Sequence, residues 1–174
     1  MTPSRECIGI VGGNGALGSA IARALRRSGA ATADQIVALA RAGCDIVRMA
    51  VPTREDAAAL PERRLRRAAA GALDLQAPDA LVISVMAGVP AARIAALTGA
   101  RAVIRAMSSP PAADLGRAFS PFWAGPGATA ADRAVAHRVL GACGETAEVA
   151  TEDLIDRFTA LTGPVPGFLA AFAQ

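Results

Sequence analysis

The sequence of 174 residues predicts an α/β fold with a doubly wound, mostly parallel sheet and flanking helices. Three observations predict it: a short apolar strand beginning at Ile8 leads through glycines into a helix, apolar runs at 80–85 and 102–107 resemble buried strands, and helical segments alternate with them. Parallel neighbours need a crossover connection, usually a helix, so this alternation favours an open sheet. We predict a dinucleotide-binding domain over 1–150 and a C-terminal helical remnant over 151–174.

A glycine pattern, Gly13-x-Gly15-x-x-Gly18, joins the first strand to the first helix. In such a turn the first glycine permits the tight bend, the second lets a pyrophosphate approach the backbone, and the third lets helix and strand pack closely. The free N–H groups and the positive dipole end of the helix face the anion. The pattern therefore predicts a Rossmann-like dinucleotide site. Its predicted cofactor contacts are Gly13, Asn14, Gly15, Ala16, Leu17 and Gly18.

Composition favours a soluble cytoplasmic protein. Hydrophobic residues make up 53% of the chain, but alanine dominates them and no apolar run reaches the length of a membrane span. The N-terminal residues lack a signal-peptide pattern. The net charge of +3 comes with dispersed arginines and only 3% aromatic residues, so we predict neither nucleic-acid nor membrane partners.

Several types of chemistry lack the residues that they need. Cys7, Cys44 and Cys143 are odd in number and far apart, which argues for reduced thiols and against a zinc site, so no metal is predicted. The chain contains no lysine and no tyrosine, and the single histidine, His137, falls on the polar side of a helical pattern. Any reductase built from this chain therefore acts on a substrate that needs little proton transfer from a side chain.

The second strand has two interpretations. A capping-box pattern at 32–35 favours a helix through Arg41, followed by a strand at 45–51. The alternative places the second strand at 35–41. We prefer the helix, because three residues between the two segments are too few for the crossover between parallel strands.

This choice decides where the cofactor ribose is recognised. In NAD sites an acidic residue follows strand 2, whereas an arginine accommodates the 2′-phosphate of NADP. The preferred interpretation predicts contacts from Thr53 and Arg54, and the alternative places Arg41 there. Both offer arginine and favour NADP, while Glu55 and Asp56 keep NAD open.

Further cofactor contacts are predicted where the later strands end, because ligands bind outside the carboxyl ends of such strands. Met86 and Ala87 follow the strand at 80–85, and Ser108 follows the strand at 102–107. The Ser108 hydroxyl either contacts the nicotinamide or satisfies the local backbone. Residues 108–112 are predicted to form a rigid loop.

The C-terminal third continues the alternation. Strands are predicted at 119–124 and 145–150 with a helix at 128–143 between them, and residues from Thr151 begin a helix that ends at Thr162. The inward side chains predicted for this helix are Leu154, Ile155, Phe158 and Leu161. A last helix carries Phe168, Leu169 and Phe172. These residues predict a homodimer contact, with fraying and packing back onto the domain as alternatives.

Five segments in order resemble pyrroline-5-carboxylate reductase. They are IGIVGG at 8–13, DIVRMAVP at 45–52, LVISVMAGV at 81–89, VIRAMSSPPA at 103–112 and LTGPVPGF at 161–168. The resemblance implies an NAD(P)H-dependent reductase of a small cyclic imine, of the proline-biosynthesis type and dimeric. A protonated imine already attracts hydride, which suits a chain without lysine or tyrosine. Thr162 matches a hydroxyl residue of the family's substrate turn and is the predicted catalytic-site residue, with capping of its own helix as the alternative.

The chain also departs from the family. Its glycine turn is one residue longer, which resembles prephenate dehydrogenases and deazaflavin-dependent NADP reductases. Ser108 and Ser109 replace a Pro-Asn pair, and Pro164 introduces a residue without an N–H into the substrate turn. The family's helical dimerisation domain has no counterpart before Gln174. We therefore predict a short, divergent member, with a catalytically degenerate dinucleotide-binding or protein-interaction homologue as the alternative.

Overall fold

A computed structural model describes residues 8–11, 15–33, 36–39, 81–163 and 165–173 of the chain. The strands are β1 (Ile8–Val11), β2 (Ile36–Leu39), β3 (Leu81–Ser84), β4 (Ala102–Ala106), β5 (Ala118–Ala124) and β6 (Gly144–Glu148). The helices are α1 (Ala16–Arg27), α2 (Ala91–Thr98), α3 (Pro110–Asp114), α4 (Ala130–Gly141), α5 (Asp153–Thr162) and α6 (Val165–Phe172). The strand predicted at 45–51 lies outside the described residues.

The strands form a mostly parallel arrangement flanked by helices, which confirms the predicted α/β, Rossmann-like class. β1 and β2 pair in parallel, and a second sheet has the order β3-β4-β5-β6. Within the second sheet β3 pairs with β4 and β5 with β6 in parallel, whereas β4 and β5 run antiparallel. The short helix α3 connects these two antiparallel strands. The parallel neighbours are joined by longer helices, as the crossover rule requires.

The predicted helix over 32–41 is wrong, because residues 36–39 form β2. β2 pairs with β1 in register, from Ile8 opposite Ile36 to Val11 opposite Leu39. The crossover between these strands is α1, so the spacing to 45–51 does not restrict β2. The Ile-Val-Ala-Leu sequence of β2 also has the β-branched, apolar character of a buried parallel strand.

One apolar cluster unites the two sheets. Ile10 of β1 and four residues of α1 are buried in it, together with residues of α3, α4 and β5. Ile83 and Val85 of the β3 region pack against the same cluster. The α1 residues in the cluster are Ala20, Ile21, Ala24 and Leu25. Their spacing of one, three and four places them on one face of the helix.

Two local predictions for β3 and the segment after β4 need correction. Residues 108–112 do not form a rigid loop, because Pro110 and Pro111 begin α3 with Ser109 as its N-cap. Proline is well suited to the first helical positions, where its missing N–H would have no acceptor. The run at 80–85 is predicted to be a buried strand, yet the first three residues of β3 are only half-buried. The strand that is buried along its whole length is β4.

α4 begins at a complete capping box. The Thr129 hydroxyl accepts from the Asp132 N–H, and the Asp132 carboxylate accepts from the Thr129 N–H. Arg101, just before β4, donates to the same carboxylate at 2.9 and 3.1 Å. Burial opposes ionisation of Asp132, but the hydrogen bonds from Arg101 and Thr129 lower its pKa to about 2.

α5 and α6 are packed less closely than the helices before them. Ile155 is fully buried, but Leu154 and Leu161 are exposed, so their predicted inward orientation is wrong. On α6 the side chains of Phe168, Leu169 and Phe172 are all exposed. None of the described helices is both long and apolar enough to cross a membrane. The division into a domain over 1–150 and a remnant over 151–174 stays a prediction.

Candidate dinucleotide site

The start of α1 presents backbone N–H groups that have no partner within the helix. Gly15 is the N-cap, with an extended backbone at φ −77° and ψ 166°, and its carbonyl accepts from Ser19 N–H at 2.9 Å. The N–H groups of Ala16, Leu17 and Gly18 therefore precede the first bonded donor of the helix. Such unbonded N–H groups can donate to an anion placed at the helix start.

The glycines at this helix start have conformations that other residues can adopt. Among the described residues, the glycines with positive φ include neither Gly15 nor Gly18. Gly18 lies inside α1, where glycine is about 1 kcal/mol less favourable than alanine. Backbone conformation therefore does not explain why these two residues are glycine. Close approach of a ligand to Gly15, and close helix packing at Gly18, are the remaining physical reasons.

The charges along α1 also favour an anion at its start. Its first turn contains no acidic residue, and its last turn contains Arg26 and Arg27. Arginines at that end complement the helix dipole without occupying the positive end. A phosphate at Gly15 would meet the positive dipole end and the backbone donors of α1.

The turn after β3 contains two of the predicted cofactor contacts. The Ser84 hydroxyl, at the end of β3, accepts from the Met86 N–H at 3.3 Å. Met86 is half-buried and packs against an apolar cluster that includes Val89 and Ile94, so part of its side chain belongs to the core. Ala87 and Gly88 are exposed, and Gly88 has φ +68°. We infer that the backbone of this turn and the small Ala87 can face a ligand.

Ser108 follows β4 and is buried. Its hydroxyl oxygen accepts from the Ser120 hydroxyl of β5 at 2.9 Å. Both side chains are almost inaccessible to solvent. This contact is with a side chain of the neighbouring strand and not with the local backbone, so the nicotinamide contact of Ser108 stays a prediction.

Thr162 is the last residue of α5. Its hydroxyl donates to the Phe158 carbonyl at 2.9 Å, which is the helix-capping alternative described above. In this arrangement its proton is used within the helix, and its lone pairs remain to accept a hydrogen bond. Thr162 and Ser108 lie on different elements, and neither hydroxyl contacts the other. The turn that follows Thr162 includes Pro164, which lies outside the described residues.

The contacts of His137 and Cys143 indicate roles in packing. His137 is exposed on α4, as predicted, and its ring meets the buried Phe122 ring edge-on at a centroid distance of 4.8 Å. Cys143 is a free thiol, and burial raises its pKa. A neutral buried thiol is a poor nucleophile, so Cys143 serves the core.

A charged cluster around Arg105 was not predicted from the sequence. Arg105, in the middle of β4, is only 1% exposed and donates to Asp156 at 2.7 and 3.2 Å and to Glu152 at 3.1 Å. Burial opposes its charge, yet the hydrogen bonds that it donates to Asp156 and Glu152 raise the pKa of the guanidinium. A single arginine within an apolar strand and carboxylates four residues apart on a helix were the available signals.

Four of the predicted cofactor contacts cannot be placed. Gly13 and Asn14 lie outside the described residues, and so do Thr53 and Arg54. Because β2 ends at Leu39, the reasoning that favoured Thr53 and Arg54 now favours the segment around Arg41. Arg41 is also outside the described residues, so the ribose contacts stay predictions.

Solved structures of pyrroline-5-carboxylate reductases have a similar fold. The Plasmodium falciparum enzyme with NADP bound matches with a TM-score of 0.71 at 16% identity, over 96% of this chain and 66% of that one. The Coxiella burnetii enzyme matches with a TM-score of 0.72 at 19% identity, over 97% and 68%. The Streptococcus pyogenes enzyme matches with a TM-score of 0.66 at 20% identity, over 97% and 68%.

At these identities the likeness establishes the fold alone. The chain spans 66% of the Plasmodium enzyme and 68% of the other two. No protein-family profile and no curated protein sequence matches it.

Proposed function

We propose that the chain binds NADPH at the start of α1 and reduces a small cyclic imine related to pyrroline-5-carboxylate. The observation that carries the proposal is the backbone at Gly15, which is extended and open to any residue, although glycine stands there. A ligand that must come close to the backbone explains this glycine, and a pyrophosphate is the ligand that fits a strand, turn and helix in this order. The likeness to reductases of this class supports the same cofactor.

We propose NADPH rather than NADH because of the charged residues that follow β2 in the sequence. Arg41 follows the end of this strand by two residues, and the first carboxylate after it is Asp45. An arginine near the end of strand 2 accommodates a 2′-phosphate, whereas a carboxylate there repels it. The expected preference for NADPH is therefore a charge effect, and it weakens as the salt concentration rises.

The proposed reaction suits the residues of this chain. When bound, the reduced nicotinamide supplies the hydride, which adds to the carbon of the protonated C=N group while the C=N electron pair moves to nitrogen. The positive charge of the imine replaces a side-chain acid, so the absence of lysine and tyrosine from the sequence is no obstacle. The chain has only to hold cofactor and substrate in line, and Thr162 is the proposed substrate contact.

The decisive experiment is a titration of the purified protein with NADPH and NADH, followed by addition of pyrroline-5-carboxylate. We expect nicotinamide fluorescence to report tight NADPH binding, and cofactor absorbance to fall when the imine is added. Gly15→Val places a branched side chain where the pyrophosphate would lie and should abolish NADPH binding while leaving the fold intact. If the variant binds NADPH as the wild type does, the pyrophosphate lies elsewhere.

Gly141→Val is the matched control for this experiment. It introduces the same side chain at the end of α4, where an added Cβ would meet only the Thr146 methyl group at 3.9 Å. This variant should bind NADPH normally. A wild-type protein that binds neither nucleotide would remove the proposed function.

A second candidate function is a dinucleotide-binding homologue without catalytic activity. It is favoured by the Thr162 hydroxyl, which donates to Phe158 within its own helix, and by the Ser108 hydroxyl, which is held by Ser120. Both polar groups are thus satisfied without a substrate. Tight NADPH binding with no loss of cofactor absorbance in the presence of the imine would select this alternative.

We also propose that α6 contacts a second copy of the chain. The helix contains no charged residue, and Phe168, Leu169 and Phe172 are exposed on it. An apolar surface of this kind favours association when a matching surface is present on a second copy. Sedimentation velocity tests the proposal, and a monomer at all accessible concentrations would exclude it.

A further inference from the structure

The hydrogen bonds of the charged cluster, formed by Arg105, Glu152 and Asp156, involve a third part of the fold in addition to β4 and α5. Glu152 Oε1, which accepts from Arg105, also accepts from the Ala91 N–H at 2.6 Å. Ala91 is the first residue of α2, so this bond satisfies a donor that has no partner within the helix. Asp156, in turn, is hydrogen-bonded by the backbone of Gly88.

These two backbone contacts belong to one segment, the turn of residues 85–90 and the start of α2. The same turn contains Met86 and Ala87, the predicted cofactor contacts after β3. The carboxylates belong to the first turns of α5, whose last residue is Thr162. The cluster therefore connects the segment assigned to the cofactor with the helix assigned to the substrate.

Arg105 is the central member of the cluster. Its two Nη atoms make all three bonds to the carboxylates, whereas its Nε is buried without an acceptor in the described part of the chain. The guanidinium is planar and its Nη atoms engage both carboxylates at once, which a lysine ammonium cannot reproduce. The position of α5 against β4 is therefore fixed in direction as well as in distance.

We propose that Arg105 is a positioning residue that couples the turn at 85–90 to α5, so that binding of NADPH at the turn also orders the helix that carries Thr162. The inference rests on the proposed function for its choice of ligand. The coupling itself is a property of the fold, because it is transmitted by Glu152 and Asp156 to backbone groups of the turn. By linkage, if NADPH binding strengthens the attachment of α5, that attachment strengthens NADPH binding by the same factor.

Hydrogen–deuterium exchange of the full chain tests the coupling. Arg105→Met keeps an unbranched apolar stem and removes the guanidinium. Exchange should become roughly tenfold or more faster in two peptides together, those covering 85–91 and 152–162, because a buried pair has been broken. α4 should keep its wild-type exchange. Faster exchange in α5 alone, or equally in every peptide, would overturn the proposal.

Arg101→Met is the matched control. Arg101 lies just before β4 and pairs with Asp132 at the start of α4, away from α5. Its loss should speed exchange at the start of α4 and leave the turn and α5 unchanged. If Arg105→Met does not fold, Glu152→Gln replaces it, because Glu152 is the acceptor shared by Arg105 and Ala91. The same two peptides should then respond, and a response in only one of them counts against the coupling.

NADPH gives a second readout that a purely structural role would not change. In the wild type, saturating NADPH should slow exchange in both peptides, and in Arg105→Met the slowing should vanish from 152–162 while remaining in 85–91. Glu152→Gln should raise the Kd for NADPH by about 5-fold or more, although Glu152 lies on α5. Unchanged affinity with retained protection of α5 would reject the coupling. A wild-type protein that does not bind NADPH contradicts the proposed function, and the exchange comparison without ligand still decides the coupling.

Discussion

α1 and α5 are attached to the sheets by different forces. α1 buries four apolar side chains along one face, and its ion pair between Arg23 and Asp114 is exposed to solvent. α5 buries only Ile155 completely and places Phe158 against Phe119, and its carboxylates Glu152 and Asp156 accept from the buried Arg105. Apolar contact is proportional to area and has no direction, whereas charge-assisted hydrogen bonds fix an orientation. The proposed phosphate-binding helix is therefore fixed by packing, and the helix that carries Thr162 is positioned by charge.

The largest loss of folding stability should come from a cavity created beneath α1. Leu25 is 0% exposed, and Leu25→Ala should lower the free energy of unfolding by about 3 kcal/mol through lost burial and an unfilled cavity. Urea unfolding followed by the fluorescence of Trp123, the only tryptophan, measures the change. Leu161→Ala is the matched control, because that leucine is 66% exposed on α5 and its loss should change stability by less than about 0.5 kcal/mol. Similar losses for both leucines would show that α5 is also held by apolar packing.

A smaller change in stability should distinguish the loss of the Arg105 cation from the loss of the two carboxylates that it contacts. Arg105→Met removes the buried cation, and Glu152 and Asp156, which are 27% and 50% exposed, then regain water. The double variant Glu152→Gln with Asp156→Asn instead leaves a cation that is 1% exposed beside neutral amides. We expect the double variant to be less stable than Arg105→Met by about 2 kcal/mol, because an uncompensated buried charge costs more than its removal.

Urea unfolding followed by circular dichroism measures this difference. The exposed pair of Arg157 and Asp153 on the same helix is the control, and breaking it by Arg157→Met should have no measurable effect. If Arg105→Met were the less stable of the two proteins, the attachment of α5 would depend on packing by the arginine stem.

The sequence predicted the parts of the fold whose patterns are local. The apolar runs and the helix between them were sufficient to place β3, α2 and β4, because burial and periodicity act within each segment. β2 was predicted as a helix because its strand conformation depends on pairing with β1, and that contact joins residues far apart in the sequence. Its four residues are too few to show a period by themselves.

Within the candidate site, the glycine turn before α1 was predictable from the sequence, whereas the contacts of Arg105 and Ser108 were not. The glycine turn has a fixed spacing, so Gly15 and Gly18 could be placed at the start of α1 from the sequence. The Arg105 cluster joins residues 47 and 51 positions apart, and no local pattern specifies which acids an arginine will meet. The Ser108 hydroxyl was predicted to contact the nicotinamide or to satisfy the local backbone, whereas it accepts from the Ser120 side chain of the neighbouring strand, a partner that no local pattern specifies.

The smallest expected effect is a loss of exchange protection at acidic pH that is confined to α5. The hydrogen bond from Arg105 holds the pKa of Asp156 below its ordinary value of 3.8, so ionised Asp156 stabilises the folded attachment. That contribution is complete above pH 3.8 and is lost as the pH falls through the lower pKa of the folded state. Exchange protection factors, which correct for the intrinsic effect of pH, should therefore fall for α5 while the buried face of α1 stays protected. Asp156→Asn should remove this difference between acid and neutral pH, because its amide does not titrate. Equal acid sensitivity of both helices would mean that the whole domain, and not the charged cluster, responds to protonation.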